Sequence, residues 1–329
     1  MLNGGHGHAD ALSLVLNLGA TGILTDPGTF VYNGSPEWRN FFRSTRAHNT
    51  VVVDDSDQSI PDGTFKWRKK AQCRVIQHLS NDGFDYVEAE HDGYRDAPCN
   101  IVHRRRVLHV RPGIWVVVDD LQGALAEHMF DFYFHFPSNA KLSVQQEKDS
   151  VLRVKARADS ARLQLLMCAS ASVKPKTIEG QMDPIQGWVS SLYGEKSPAP
   201  TLRLRMQTNA PASGMFIMLP SHSSADPDDA VTTRSVCVTE GSALACEAEC
   251  GDVTDIFVSS FQDERIGIPD FTLRGRFFWL RKRKGRLTHV LGIDCKEVRH
   301  RDQVLMRDSK PGIFSRGLRG LHGLGDQSV

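Results

Sequence analysis

The sequence predicts an all-β fold, a large antiparallel β-sandwich of stacked sheets, and three observations support that prediction. Short runs of alternating or continuous apolar residues recur along almost the whole chain. Gly, Pro, Asp and Ser punctuate them, and no stretch apart from 36–44 holds a helical period. Many short strands at such spacing pack as antiparallel sheets. LSLVLNL (12–18) sets Leu12, Leu14, Leu16 and Leu18 against Ser13, Val15 and Asn17, the period of a half-buried strand. GATG (19–22) turns the chain into ILTD (23–26), which Pro27 and Gly28 stop. After the 36–44 segment come TVVVD (50–54), CRVIQHL (73–79), YVEAEH (86–91), RRRVLHV (104–110), IWVVVDDL (114–121) and MFDFYFHF (129–136). VLRVKAR (151–157), RLQLLMC (162–168), TLRLRMQT (201–208), GMFIMLP (214–220), DIFVSSF (255–261), GRFFWLRK (275–282) and LTHVLGI (287–293) continue the pattern.

No internal repeat or composition shift marks a boundary, so residues 1–308 read as one sandwich domain. Residues 309–329, rich in Gly, Ser and Arg, read as a flexible tail. With 24% charged residues and a formal net charge of +1, nothing in the overall balance draws the chain to nucleic acid or an acidic membrane. No window of about 18 uninterrupted apolar residues suggests a transmembrane helix, and the N-terminus lacks the pattern of a signal peptide. The seven cysteines are scattered, and Cys246 with Cys250 has no second pair to complete a zinc site. The basic run RGRFFWLRKRKGR (274–286) fits a glycan or nucleic-acid patch and two exposed strand edges equally well.

The chemistry-bearing residues crowd near the start. In GGHGHAD (4–10), His6, His8 and Asp10 occupy every second position, so an extended backbone would point all three the same way. Asp26 follows a strand, while Arg39, Arg43, His48 and Asn49 precede another. Two histidines and a carboxylate make a common zinc set, and His8, Asp26 and His48 form the obvious trio, with Asp10 a competing carboxylate. A plain hairpin about 19–22, however, would leave His8 about 23 Å from Asp26, so a shared metal requires the backbone between His8 and Leu12 to fold back. Tyr32 is the nearest phenol. His91, His103, His109, His128 and His135, at strand positions, read as packed or surface residues.

The string HGHADALSLVLNLGATGILTDPGTFVYNG, continued by WRNFFRSTRAHNTVVVDD, resembles the heparinase II/III-like polysaccharide lyases and the related alginate and oligoalginate lyases. AEHDGYRD (89–96), HRRRVLHVRPGIWVVVDDLQG (103–123), HMFDFYFHF (128–136) and GWVSSLYGEKSPAPTL (187–202) extend the resemblance. It implies an enzyme of two parts, an α/α toroid and a C-terminal antiparallel sandwich, of which this chain matches the second. It implies that His6 reaches the active site, that His8, Asp26 and His48 hold Zn2+, and that the principal tyrosine acid/base lies on the helical part.

Uronate lyases remove the proton beside the carboxylate and expel the 4-linked oxygen. That requires a neutraliser for the carboxylate, a base and an acid. His6 suits any of these roles, Tyr32 is a second catalytic candidate, and Arg39, Arg43 and Asn49 are expected to contact substrate. The expected partners are an acidic polysaccharide and either a separate toroid half or a second copy of the chain, with periplasmic or secreted location by resemblance. Two other functions fit the same residues. One is a non-catalytic glycan-binding sandwich that retains the metal. The other is a zinc hydrolase, which lacks the glutamate that adjoins the motif in H-E-x-x-H enzymes.

Overall fold

The computed structural model describes residues 4–96, 99–111, 113–146, 151–222, 231–307 and, as backbone, 314–317. Strand is the dominant structure of these residues, and every ladder between them is antiparallel. Helix is confined to Pro36–Phe42 and a single 3-10 turn at Thr45–Ala47. Pro36 at the first helical position presets the backbone angle, and the helix buries Trp38, Arg39, Phe41 and Phe42. No helix is long and apolar enough to cross a membrane among the described residues.

The chain forms two compact units, 1–226 and 227–329. In the first, an eight-stranded sheet runs in the order Lys141–Gln146, Leu152–Ala158, Ala161–Ala169, Ala212–Ser221, Ile114–Gly123, Ile101–Val110, Phe84–Tyr94, Cys73–Ser80. A four-stranded sheet orders Val173–Ile178, Thr201–Asn209, Glu127–His135 and Val51–Val53. Their facing side chains make one core. Phe130, Phe132 and Phe134 point inward from alternate positions of one strand and meet Phe216, Val117, Leu163 and Leu165 of the larger sheet. The residues between those phenylalanines are buried as well. Asp131, 1% exposed, is therefore held by a two-point ion pair with Arg205 at 2.8 and 2.6 Å.

In the second unit, a six-stranded sheet (Val231–Ser235, Ala243–Cys250, Val253–Ser260, Phe277–Arg283, Arg286–Ile293, Phe314–Gly317) accompanies a four-stranded sheet (Arg265–Ile268, Phe271–Arg274, Glu297–His300, Gln303–Arg307). Its own core includes Ile256, Val258, Ile266, Leu273, Phe278, Leu280, Val290 and Val298. The second core corrects the expectation of a single sandwich over 1–308. Two sandwiches of like composition leave no shift between them, and only the polar run SHSSADPDD (221–229) marks the division. The tail expected at 309–329 contributes the strand Phe314–Gly317, paired with Arg286–Ile293, and otherwise lies outside the described residues. In the basic run, Arg281 pairs with Asp255 at 2.7 and 2.9 Å, and Lys284 with Gly285 forms the hairpin turn.

The largest local departure lies at 12–18. Strand structure covers only Leu16–Leu18, paired with Thr21–Leu24 through an irregular register. Leu12 takes φ +63°, and the N–H of Ser13 bonds back to Asp10 O at 2.9 Å. Side chains from elsewhere capture the carbonyls that a partner strand would have taken. Arg105 Nη1 donates to Leu12 O at 2.7 Å, Asn49 Nδ2 to Leu14 O at 2.6 Å and Thr50 Oγ1 to Ala11 O at 3.1 Å. The N–H of Ala9 also bonds to Arg43 O at 2.8 Å. The chain between His8 and Leu12 does fold back.

Candidate metal centre and active-site rim

The fold-back brings together the three residues that a plain hairpin would have separated. One ligand atom each from His8, Asp26 and His48 lies within 4.8 Å of the others, and Asp10 is not part of the cluster. His48 is fully enclosed, and its Nδ1 donates to Ser44 O at 2.7 Å. That bond assigns the proton to Nδ1 and leaves Nε2 bare, facing His8 Nδ1 at 3.1 Å and Asp26 Oδ2 at 3.7 Å. Asp26 Oδ1 accepts the Gly28 N–H at 2.9 Å, which orients the other oxygen toward the histidines. Burial, helped by His48, Arg39 and Arg43, holds the His8 imidazole down to about 3. The His8 imidazole therefore offers neutral nitrogen at ordinary pH. A tetrahedral zinc with bonds of about 2.0–2.1 Å sets its donors roughly 3.3 Å apart, and the observed gaps bracket that spacing. The donor set fits a zinc ion.

The first histidine of the motif points elsewhere. Residues 4–7 form a turn closed by Gly7 N–H to Gly4 O at 3.0 Å, so His6 and His8 do not share a face as an extended strand would require. His6 is exposed, and its Nδ1 sits 2.8 Å from the Tyr32 hydroxyl. Tyr32 stacks on Tyr193 (centroids 5.9 Å, planes 27° apart) and lies 6.3 Å from Phe65. Two loops carry this rim and are joined through backbone. Ser190 N–H bonds to Pro27 O at 2.7 Å and Gly194 N–H to Phe30 O at 2.8 Å. Gly28 is required there, because a Cβ would meet Ser190 O at 2.0 Å. Lys196 caps the same junction, its ammonium 4.3 Å from the Phe30 ring and 4.4 Å from the Trp38 ring.

The remaining site residues lie beneath this surface. Arg39, 2% exposed, donates to Gly5 O at 2.8 Å and lies 5.1 Å from the Tyr32 ring, while its Nε and Nη1 have no partner. Its burial lowers its pKa, and no carboxylate pairs with it among the described residues. Arg43 is 3% exposed and commits its donors to Thr64 O, Gly63 O and Asn40 Oδ1. Asn49 is fully buried, donating to Leu14 O and Thr25 O and accepting the His135 N–H at 2.6 Å. Both were expected to contact substrate, yet both are buried, with Asn49 bonded to backbone and Arg43 bonded to backbone and Asn40 while its Nε has no partner. Of the strand histidines, His91, His103, His128 and His135 are packed, each at most 7% exposed, while His109 is partly exposed and stacks on Trp115.

Sequence reasoning missed Ser44, Arg105, Tyr193 and Trp67, whose Nε1 donates to Gly4 O at 2.9 Å. The only signal for the last lay in the alternation of aromatic and cationic residues at 65–70.

Among curated proteins, none matches. Several solved structures share the fold. A heparan sulfate lyase HepC from Pedobacter heparinus superposes with a TM-score of 0.58 at 18% identity, over 74% of this chain. A heparinase III structure gives 0.60 at 18% over 77%, and the heparinase III BT4657 gene product gives 0.57 at 16% over 84%. This chain spans 36% of the length of each of those three. The family model "Heparinase II/III-like, C-terminal" matches residues 2–233, which takes in the metal cluster, the His6–Tyr32 pair and both sheets of the first unit. The chain belongs to the heparinase II/III-like C-terminal family.

Proposed function

We propose that this chain is the sandwich part of a lyase that cleaves uronate-containing acidic polysaccharides by β-elimination. The observation that carries the reading is the 2.8 Å contact between His6 Nδ1 and the Tyr32 hydroxyl, with His6 two residues along the chain from His8 of the His8, Asp26 and His48 cluster. In the elimination, a base removes the proton beside the uronate carboxylate. The electrons form the C4–C5 double bond, the C4–O bond breaks, and the departing oxygen takes up a proton. The His6–Tyr32 pair suits that proton traffic. A proton moves between Nδ1 and the phenol oxygen along an existing hydrogen bond, while His6 Nε2 makes no hydrogen bond among the described residues. Zinc, when bound by His8, Asp26 and His48, supplies a fixed anchor for the turn that presents His6. Arg39 places cationic charge below Tyr32 and grips the same turn at Gly5 O. A helical half, whether on the same polypeptide or a separate one, supplies the other wall of the cleft.

The test is turnover in the presence of that half, read as the ultraviolet absorbance of unsaturated uronate ends with heparan sulfate and with alginate. His6→Ala should lose activity by at least about a hundredfold, with zinc content and melting temperature nearly unchanged. Full turnover by His6→Ala would place the chemistry wholly on the helical part.

A further inference from the structure

The hairpin Ile60–Asp62 / Lys66–Lys69 lies against the active-site turn yet plays no part in the reading above. It is firmly attached. Arg43 grips its loop at Gly63 O and Thr64 O, and Trp67 donates to Gly4 O while packing under the Arg43 guanidinium at 5.5 Å. Alternation then sorts its cations. Trp67 and Lys69 face inward, Lys69 bonding Gly93 O and Asp96, whereas Lys66 and Arg68 share the outer face and are exposed. Neither outer cation pairs with a carboxylate among the described residues, although Asp62 stands opposite Lys66 in register. Residues 63–71 contain no acidic side chain. Phe65, at the hairpin's tip, is 43% exposed and continues the ring series of Tyr32 and Tyr193, the last 65% exposed.

A row of open aromatic faces that leads from His6 to two unpaired cations is suited to a ligand that is both ring-shaped and anionic. Sugar rings lay their C–H faces on aromatic side chains, and sulfate or carboxylate groups meet Lys and Arg. We infer that Tyr193, Tyr32, Phe65, Lys66 and Arg68 form a binding track for an acidic polysaccharide chain, which holds the sugars next to the one at His6. The inference rests on the proposed function for its choice of ligand.

Binding of heparan sulfate, alginate and dextran oligosaccharides to the full chain, by calorimetry at two salt concentrations, tests it. The two acidic glycans should bind more weakly at high salt, and dextran should not bind. Binding of heparan sulfate alone would assign the recognised charge to sulfate, and binding of both would show that carboxylate suffices. The double variant Lys66→Ser/Arg68→Ser should weaken binding about tenfold and flatten the salt dependence. Tyr193→Ala should weaken it about threefold. Lys174→Ser/Lys176→Ser, which removes the same charge from a different exposed strand, should change nothing. The track is refuted if no acidic glycan binds, if dextran binds equally well, or if the two double variants behave alike. Failure of the lyase reading looks different: glycan binding would depend on Lys66 and Arg68 while no unsaturated ends form even with the helical half present.

Discussion

Two clusters of histidine and aspartate lie in the first unit, and they are built to opposite rules. In the interior of the large sheet, His91 Nδ1 accepts the Gly93 N–H, its Nε2 bonds His103 Nδ1 at 3.1 Å, and His103 Nε2 bonds Asp119 Oδ1 at 2.7 Å. Arg105 closes the series with two bonds to the same carboxylate at 2.6 and 2.8 Å. Every nitrogen has a partner, and the aspartate has its cation. At the rim, His8, Asp26 and His48 have the same residue types but no cation among them, and His8 Nε2 is buried without a partner. Residue type therefore does not separate a ligand site from a structural network. What sets the rim apart, among the described residues, is an aspartate with no cation beside it and one unpartnered ring nitrogen, His8 Nε2. His8 Nδ1 and His48 Nε2 lie 3.1 Å apart, just as His91 and His103 do.

The comparison is broken most forcefully at Arg105, which serves both clusters by holding Asp119 and the carbonyls of Leu12 and Asn49. Arg105→Ala leaves a buried carboxylate uncompensated and should cost about 3–5 kcal/mol in chemical denaturation, with weaker zinc binding as the fold-back loosens. Next comes the metal. Protein purified without chelator should carry one zinc per chain, lost in His48→Ala. Chelation should lower stability by about 3–4 kcal/mol if free zinc had stood at 100 to 1,000 times its Kd, read as a fall in melting temperature. Zinc retained in Asp26→Ala/His48→Ala would reject the trio.

Acid should act through buried histidines both in the satisfied cluster and beneath the rim, where His135 lies against Asn49. Burial holds His91 and His103 below their ordinary value and His135 down to about 3, so the unfolded chain binds these protons more readily than the folded one. Their contribution is complete above about pH 6.5 and is lost as pH falls below it, by roughly 2 kcal/mol or more at pH 5 in thermal melts. Burial alone would raise Asp119, but Arg105 and His103 outweigh it and bring it to about 2, so its contribution is lost only below about pH 4. The smallest effect belongs to Trp67→Phe, which removes one bond to Gly4 O and should cost about 1 kcal/mol. It should leave zinc content intact, because the metal ligands are untouched.

The sheets were legible in the sequence where one period dominates. MFDFYFHF announced a strand, and its phenylalanines do alternate into the core. The clustering of His8, Asp26 and His48 was legible by resemblance and contrary to local geometry, because the bonds that fold the chain back come from far away. Arg105 lies 93 positions from Leu12, and Trp67 lies 63 from Gly4. Periodicity describes neighbours along the chain and is silent about such partners. The same limit hid the division at residue 226, since two sandwiches repeat one alternating pattern.

Asn49 ties Leu14 O, Thr25 O and the His135 N–H with one amide. During synthesis, residues 4–50 emerge before Arg105 and His135, which follow scores of residues later. This segment is thus made before the side chains that fix its shape. Closing loops of this length carries an entropic cost that must be met before the distant contacts offset it. Until those distant clamps arrive, the backbone groups of this segment stand open to the wrong strand partner.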